Sequence, residues 1–383
     1  MISLPDTPSL HLAKVEAMVF RAPIDTPVQT SFGIMYDRPA VLVRIEDNEG
    51  AVGWGEIWCN FPSVGAEHRA RVLESCIAPI LLEREWSSPN EPFAELTRRL
   101  RVLAIQSGEP GTMAQAIAGA DIALWDLVGK RTGKPLWRLL GGSSQIRTYA
   151  SGLNPTTPEV LAAAQRDAGH RAFKLKVGFG AERDIHNLKM LRDLLGTETP
   201  LMVDANQAWT PAVALEMSRQ LAEFDLQWLE EPIAADHAIQ DWIALAQGSP
   251  IPLAGGENMR GEAMFDEAIA SGAFAVFQPD LGKWGGFSAC LPVARKVIES
   301  SRMFCPHWLG GGLGLVASMH LKAAAGGEGY VEVDSNANPL REVLACPLPK
   351  VTDGVVTLSN LPGLGIEPDL QAAAQFRRPH QYV

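Results

Sequence analysis

Eight ionisable residues of this sequence recur at one kind of place, in or at the end of a short apolar run. Lys174 and Lys176 lie in FKLKV (173–177), Asp204 closes LMVD (201–204) and Glu230 closes LQWLE (226–230). Glu257 ends IPLAGGE (251–257), Asp280 ends AVFQPD (275–280), His307 ends MFCPH (303–307) and Glu332 lies in YVEV (330–333). Such residues are rarely buried without a partner or a metal. A set brought to one rim therefore reads as a chemical site rather than as packing.

Asp204, Glu230 and Glu257 fall on three consecutive runs. Three carboxylates converging on one point repel, and some take up protons. A hard divalent cation removes that cost, and all-oxygen ligands with room for water and substrate suit Mg²⁺. Glu231 competes with Glu230, because neighbours on a strand point to opposite faces. Lys174 and Lys176 share a face. Each ammonium disfavours the other and burial adds to this, so lowered pKa values and a general base are expected. Asp280, accepting from one ring nitrogen of His307, would fix the tautomer and raise the basicity of the other. Glu332, opposite the carboxylates, is expected to have a raised pKa and to donate a hydrogen bond to developing negative charge. Asp334 shares its face and competes for the role. The chemistry this set suits is removal of a proton alpha to a carboxylate, with the resulting enediolate stabilised by cation and ammonium.

The elements that must position these residues are short strands alternating with amphipathic helices, beginning at IRTYAS (146–151). Eight strands of this kind predict a (β/α)8 barrel, whose site lies at the C-terminal strand ends. The strand-like VEAMVF, VLVRIED and AVGWGEI, between 13 and 56, predict a three-stranded antiparallel sheet with a loop over 23–39. Met113–Gly129 has helical spacing. The expected organisation is an α+β capping domain over 1–138, the barrel over 139–350, and a segment over 351–383 that returns to the cap.

Composition narrows the partners. The 383 residues are 46% hydrophobic, with 33 basic and 44 acidic side chains and a net charge of −11. No basic run marks a nucleic-acid surface, and no apolar run is long enough for a membrane span. Five cysteines without CxxC spacing read as reduced thiols of a cytoplasmic protein, and Met1–Lys14 does not read as a signal segment. Gly310-Gly311-Gly312-Leu313-Gly314 fits neither nucleotide-binding glycine pattern and reads as backbone room. IRTYAS carries no HxH pair of a barrel metallohydrolase.

Taken in order, KLK, VDANQ, EEP, GGEN, QPD, PH and YVEVDSN, with ADIALWDLVGK and GLGIE, resemble the enolase superfamily and its mandelate racemase subgroup. The resemblance implies that Asp204, Glu230 and Glu257 hold Mg²⁺ and that Lys176 is a base with Lys174 beside it. It also implies that the Asp280–His307 dyad acts on the opposite face and that Glu332 meets the substrate carboxylate. A small-molecule carboxylate substrate and a homo-oligomer, dimer or octamer, are implied too. EVDSNANPLRE and GLGIE are most similar to sugar-acid dehydratases and galactarolactone cycloisomerases. An acid-sugar dehydratase is the leading expectation, with a racemase, epimerase or cycloisomerase as alternatives. Loops 26–36 and 58–64 would set specificity, with Thr30, Ser31, Tyr36 and Asn60 available for hydroxyls. The second loop is apolar, which weighs against a highly oxygenated substrate. Asn206, Trp308 and Lys283 are further candidate contacts, Lys283 reading first as structural and second as a substrate contact.

Overall fold

The computed structural model describes residues 8–30 and 33–381, so Ser31 lies outside the described residues. Strands β1 (Leu12–Gln29), β2 (Ile34–Asp47) and β3 (Val52–Ile57) form an antiparallel sheet, joined at its edge by β14 (Arg377–Arg378). The loop expected over 23–39 is mostly strand. A bulge between Pro23 and Val28 absorbs the proline, after which Val28 pairs with Met35 and Gln29 with Ile34. The sheet therefore carries a long hairpin that reaches toward the barrel.

Helices α1 (Gly65–Val72) and α3 (Pro110–Arg131) lie on this sheet, and α2 (Asn90–Gln106) packs against α3. The alanine-rich α3 is buried through most of its length and lies directly on β3. Glycine permits the approach, since a Cβ on Gly55 would sit 2.1 Å from the Gly119 carbonyl oxygen.

Eight parallel strands follow: β4 (Gln145–Leu153), β5 (Phe173–Lys176), β6 (Leu201–Asp204), β7 (Leu229–Glu230), β8 (Leu253–Gly255), β9 (Val276–Phe277), β10 (Met303–Phe304) and β11 (Val331–Asp334). Neighbours pair in sequence from β4 to β10, and β11 returns to pair with β4. The intervening segments carry α4 (Pro158–Asp167), α5 (Ala181–Leu195), α6 (Pro211–Leu221), α7 (Ile239–Gly248), α8 (Glu262–Ser271), α9 (Gly286–Glu299) and α10 (Gly312–Ala325). A hairpin of β12 (Val351–Thr352) and β13 (Val355–Thr357) pairs with the N-terminal end of β4. Several strands are shorter than their apolar runs: Glu257, Asp280 and His307 lie just past the ladder. Pro279 and Pro306, which have no N–H to give it, stand immediately before two of them.

Cap and barrel meet through buried polar links. Asp121 of α3 accepts from Ser288 Oγ of α9 at 2.5 Å, and Arg38 of β2 pairs with Asp334 of β11 at 2.7 Å. Both partners of that ion pair are buried, so removing one would strand a charge. Among the described residues no helix is long and apolar enough to cross a membrane.

Candidate active site

One layer of side chains closes the barrel beneath the site. Tyr149, Ala172, Met202, Trp228, Ala254, Val276, Cys305 and Tyr330 pack together, with Tyr149 edge-on to Trp228 at 5.6 Å. Side chains two positions apart on a strand face the same way. One step up from this floor therefore stand Ser151, Lys174, Asp204, Glu230, Gln278, His307 and Glu332. On β8 the step falls on Gly256, whose φ of 129° is open to glycine. The next residue, Glu257, carries the acid.

Oxygens of Asp204, Glu230 and Glu257 all lie within 4.8 Å of one another, and the three side chains are buried. Cationic side chains ring them. Lys176 Nζ is 2.5 Å from Asp204 Oδ2, and Lys174 Nζ is 2.6 and 2.7 Å from the two Glu230 oxygens. Lys283 Nζ is 2.8 Å from Glu257 Oε1, and His307 Nε2 is 3.1 Å from Glu257 Oε2. Burial, and then Asp204, pushes the Glu230 carboxyl up to about 8. Burial also opposes ionisation of Glu257, but His307 and Lys283 hold it well below the usual carboxylate range. Three buried carboxylates whose oxygens converge on one point are an all-oxygen donor set suited to a divalent metal.

Glu231 leaves the cluster. At φ 36° it turns its carboxylate to Gln207 Nε2 (2.9 Å) and Asn258 Nδ2 (3.0 Å). Asn206 and Gln207, at φ 44° and 65°, are strained as well. Non-glycine residues held in the left-handed region cluster where surroundings over-determine the backbone, often at functional sites.

On the far side of the His307 ring from Glu257, Asp280 Oδ2 lies 2.6 Å from His307 Nδ1. The other Asp280 oxygen accepts from the Gly282 and Lys283 amides, so the carboxylate is fixed from two sides. Burial lowers the His307 pKa, but Glu257, Glu332 and Asp280 outweigh it and raise the ring to about 9. The expected rise in basicity is present.

Two expectations about charge are corrected. The Lys174 and Lys176 pKa values are raised, not lowered: burial and, for Lys176, the Lys174 ammonium lower them, but surrounding carboxylates prevail. Glu332 is held low despite burial, because Lys174 and His307 favour its ionised form. It accepts from Lys174 at 3.0 Å, from the Trp308 amide at 3.2 Å and from Ser151 Oγ. It is therefore an acceptor here, not a donor. Asp334 is occupied by Arg38 and Arg341.

Two cavities open at this rim. A narrow one, about 30 Å³, is lined by Lys176, His307 and Glu332 together with Ser151, Asn154 and Asn336. A wider one, about 840 Å³, is lined by Glu257, Lys283, Asn206, Trp58 and Phe179, among others. Gln29 and Thr30, from the cap hairpin, line both. Asn206 and Lys283 thus lie at the site, whereas three other candidate contacts do not line either cavity. Tyr36 and Asn60 border a separate hollow on the cap. Trp308 is 2% exposed and spends its indole N–H on the Gly311 carbonyl at 2.8 Å. Since Trp58 alone of loop 58–64 lines these cavities, the apolar character of that loop is no evidence against an oxygenated substrate. Gln29, Ser151, Asn154 and Asn336 went unmarked in the sequence. Ser151, at the end of the first barrel strand, had the one usable signal.

Residues 14–141 match the N-terminal domain family of mandelate racemase and muconate lactonizing enzyme. Residues 159–373 match the enolase C-terminal domain-like family. The chain belongs to the enolase superfamily, in its mandelate racemase/muconate lactonizing enzyme subgroup. It is an enzyme of that superfamily. A mandelate racemase/muconate lactonizing enzyme structure from Bordetella bronchiseptica RB50 is 52% identical, with a TM-score of 0.91, covering 96% of this chain and 99% of that one. An enolase from Bradyrhizobium complexed with magnesium and mandelic acid is 29% identical, with a TM-score of 0.85, covering 99% and 100%. The D-galactarolactone cycloisomerase of Agrobacterium fabrum is 33% identical over 97% of this chain and 100% of its own length. The arabinonate dehydratase of Saccharolobus solfataricus is 29% identical over 85% and 87%.

Proposed function

We propose that this superfamily member is a Mg²⁺-dependent dehydratase of acid sugars. It would remove the proton alpha to the carboxylate and expel the beta hydroxyl. The observation that carries this reading is the narrow cavity, which Lys176, His307 and Glu332 line together beside the carboxylate triad. Asp204, Glu230 and Glu257 would hold the metal. Mg²⁺ bound there supplies a Lewis acid for the substrate carboxylate and offsets the negative charge that keeps Lys176 protonated.

The remaining roles belong to the chain's own side chains. Lys176 Nζ takes the alpha proton, and the electron pair of that C–H bond passes into the enediolate. Asp280 engages Nδ1 of His307, so Nε2 is the nitrogen that exchanges a proton with a ligand. His307 Nε2 gives its proton to the departing beta hydroxyl, water leaves, and the enol formed relaxes to a 2-keto-3-deoxy acid. Lys174, bonded to Glu230 and Glu332 and wholly buried, fixes both carboxylates in place. Ser151, Asn154 and Asn336 present polar groups toward hydroxyls of a substrate in the narrow cavity. The arabinonate dehydratase relative supports this outcome.

A second reading rests on the D-galactarolactone cycloisomerase relative. A ring oxygen would then leave in place of a hydroxyl, and the same two residues would serve. Incubation of hexonates, pentonates, aldarates and their lactones with Mg²⁺ separates the two. A 2-keto-3-deoxy acid from an open-chain acid supports dehydration. Conversion of a lactone alone, with no open-chain turnover, overturns it in favour of cycloisomerisation.

A further inference from the structure

We infer that Glu56, a cap residue on β3, is a positioning residue for His307, acting through the glycine-rich segment that follows it. This deepens the proposed function and rests on its assignment of His307 Nε2 as the proton-exchanging group across from Lys176: the neutral ring would take the alpha proton of the epimer whose C–H bond faces it, as Lys176 does for the other, a two-base reading of the site.

Glu56 is 2% exposed and reaches across from cap to barrel. One carboxylate oxygen accepts from the Gly311 amide at 2.5 Å, and the other accepts from the Gly314 amide at 2.8 Å. These amides stand at the start of α10, where helix N–H groups lack partners inside the helix. The Gly311 carbonyl in turn accepts from the Trp308 indole. The Trp308 amide donates to Glu332, which faces His307 Nε2 at 3.6 Å. A continuous series of contacts therefore runs from Glu56 through Gly311 and Trp308 to the residue beside His307. Asn60, five residues before the cap helix α1, grips the same segment by donating to the Leu309 carbonyl at 2.7 Å.

The segment has little freedom to settle otherwise. A Cβ on Gly311 would lie 2.5 Å from Glu56 Oε1, and one on Gly314 would lie 2.0 Å from the Trp308 ring. Lys176 belongs to β5, whose position is set by pairing with β4 and β6 and not by this clasp. Loosening the clasp should therefore disturb one side of the site and spare the other. Catalytic geometry is sensitive enough for this to register, because a misplacement of about 1 Å can cost about 100-fold in rate.

The test compares wild type, Glu56→Gln, Glu56→Ala and Asn60→Ala with Mg²⁺ in D₂O. The probes are D-galactonate and D-talonate, which differ only in configuration at the alpha carbon. His307→Asn and Lys176→Ala identify which epimer each base serves. Glu56→Ala should lower alpha-proton exchange from the His307 epimer about 100-fold and leave the Lys176 epimer unchanged. Glu56→Gln, which keeps one acceptor oxygen, and Asn60→Ala should fall between, and they carry the test if the alanine variant does not fold. Equal loss on both epimers, or no loss on the His307 epimer, overturns the inference. If wild type exchanges only one epimer, that epimer alone must respond as stated. Amide hydrogen exchange supplies a second readout that needs no turnover. Residues 309–315 should lose protection in Glu56→Ala while 173–177 keep theirs, and unchanged protection of 309–315 overturns the anchoring. Exchange of neither epimer by wild type would overturn the two-base reading itself, and the amide measurement would still decide whether Glu56 holds the segment.

Discussion

Lys174 and Glu230 form a two-toothed contact at the base of the site, with the ammonium 2.6 and 2.7 Å from the two carboxylate oxygens. The pair is wholly buried, and it separates the duties of the two lysines. Lys174 is committed to carboxylates, whereas Lys176, two residues on, lines the narrow cavity. Lys174→Ala should therefore lower activity and stability together. Breaking a buried ion pair typically costs about 3–5 kcal/mol, measurable by urea denaturation.

Lys176→Ala and His307→Asn should instead remove turnover and leave the fold intact. A positioned general acid or base is worth about 10²–10⁴-fold, so kcat should fall by that order with an unchanged circular dichroism spectrum. Wild-type rates in both variants would contradict the assigned roles.

The triad predicts a metal-dependent gain in stability. Asp204→Asn should weaken Mg²⁺ binding, seen by calorimetry. For wild type, Mg²⁺ at a hundredfold excess over its Kd should add about 2.7 kcal/mol, a gain the variant should largely lose. Activity that survives a chelator would count against any metal role.

His320 predicts an acid-sensitive joint. Its Nδ1 accepts from the Trp137 amide at 2.9 Å and its other nitrogen meets the Leu364 carbonyl at 3.1 Å, so the ring is neutral. Burial lowers its pKa from 6.5 to about 4. A histidine with a depressed folded-state pKa contributes stability above 6.5, and that stability is lost as pH falls from 6.5 through about 4. The loss should be on the order of 3 kcal/mol. Unfolding free energies of wild type and His320→Gln at pH 7 and pH 4 measure it, and an equal pH dependence in both would refute the assignment.

Gly55→Ala should force β3 away from α3, because its Cβ would meet the Gly119 carbonyl oxygen at 2.1 Å. Overpacking of this kind costs about 1–3 kcal/mol. A lowered urea midpoint is the expected result.

Much of this site was legible because a barrel strand repeats every two residues. The floor residues Met202, Trp228 and Tyr330 fix the faces of Asp204, Glu230 and Glu332, and each acid ends or sits within an apolar run that is visible in sequence. Charge states were less legible. Lys174 and Lys176 share a face of one strand, but the carboxylates that raise their pKa values come from β6, β7 and β11 and from Glu257 just past β8. Loop residues were least legible, because nothing local states which wall they join. Trp308 sits beside His307 in sequence yet turns into the core against Gly310 and Gly314. Tyr36, on β2, and Asn60, in the loop after β3, border another hollow. The hairpin read as a loop over 23–39 was hidden by its prolines, which a bulge accommodates.

The proposed function stands on abstraction of an alpha proton from a carboxylic acid by bases within this cavity. Proton NMR of acid sugars and 2-hydroxy acids in D₂O, with wild-type enzyme and Mg²⁺, tests it most directly. Loss of the alpha-proton signal from at least one compound is expected, with retention of that signal in the Lys176→Ala, His307→Asn double variant. Turnover of any such compound to product without solvent deuterium entering, or deuterium exchange undiminished in the double variant, would contradict it.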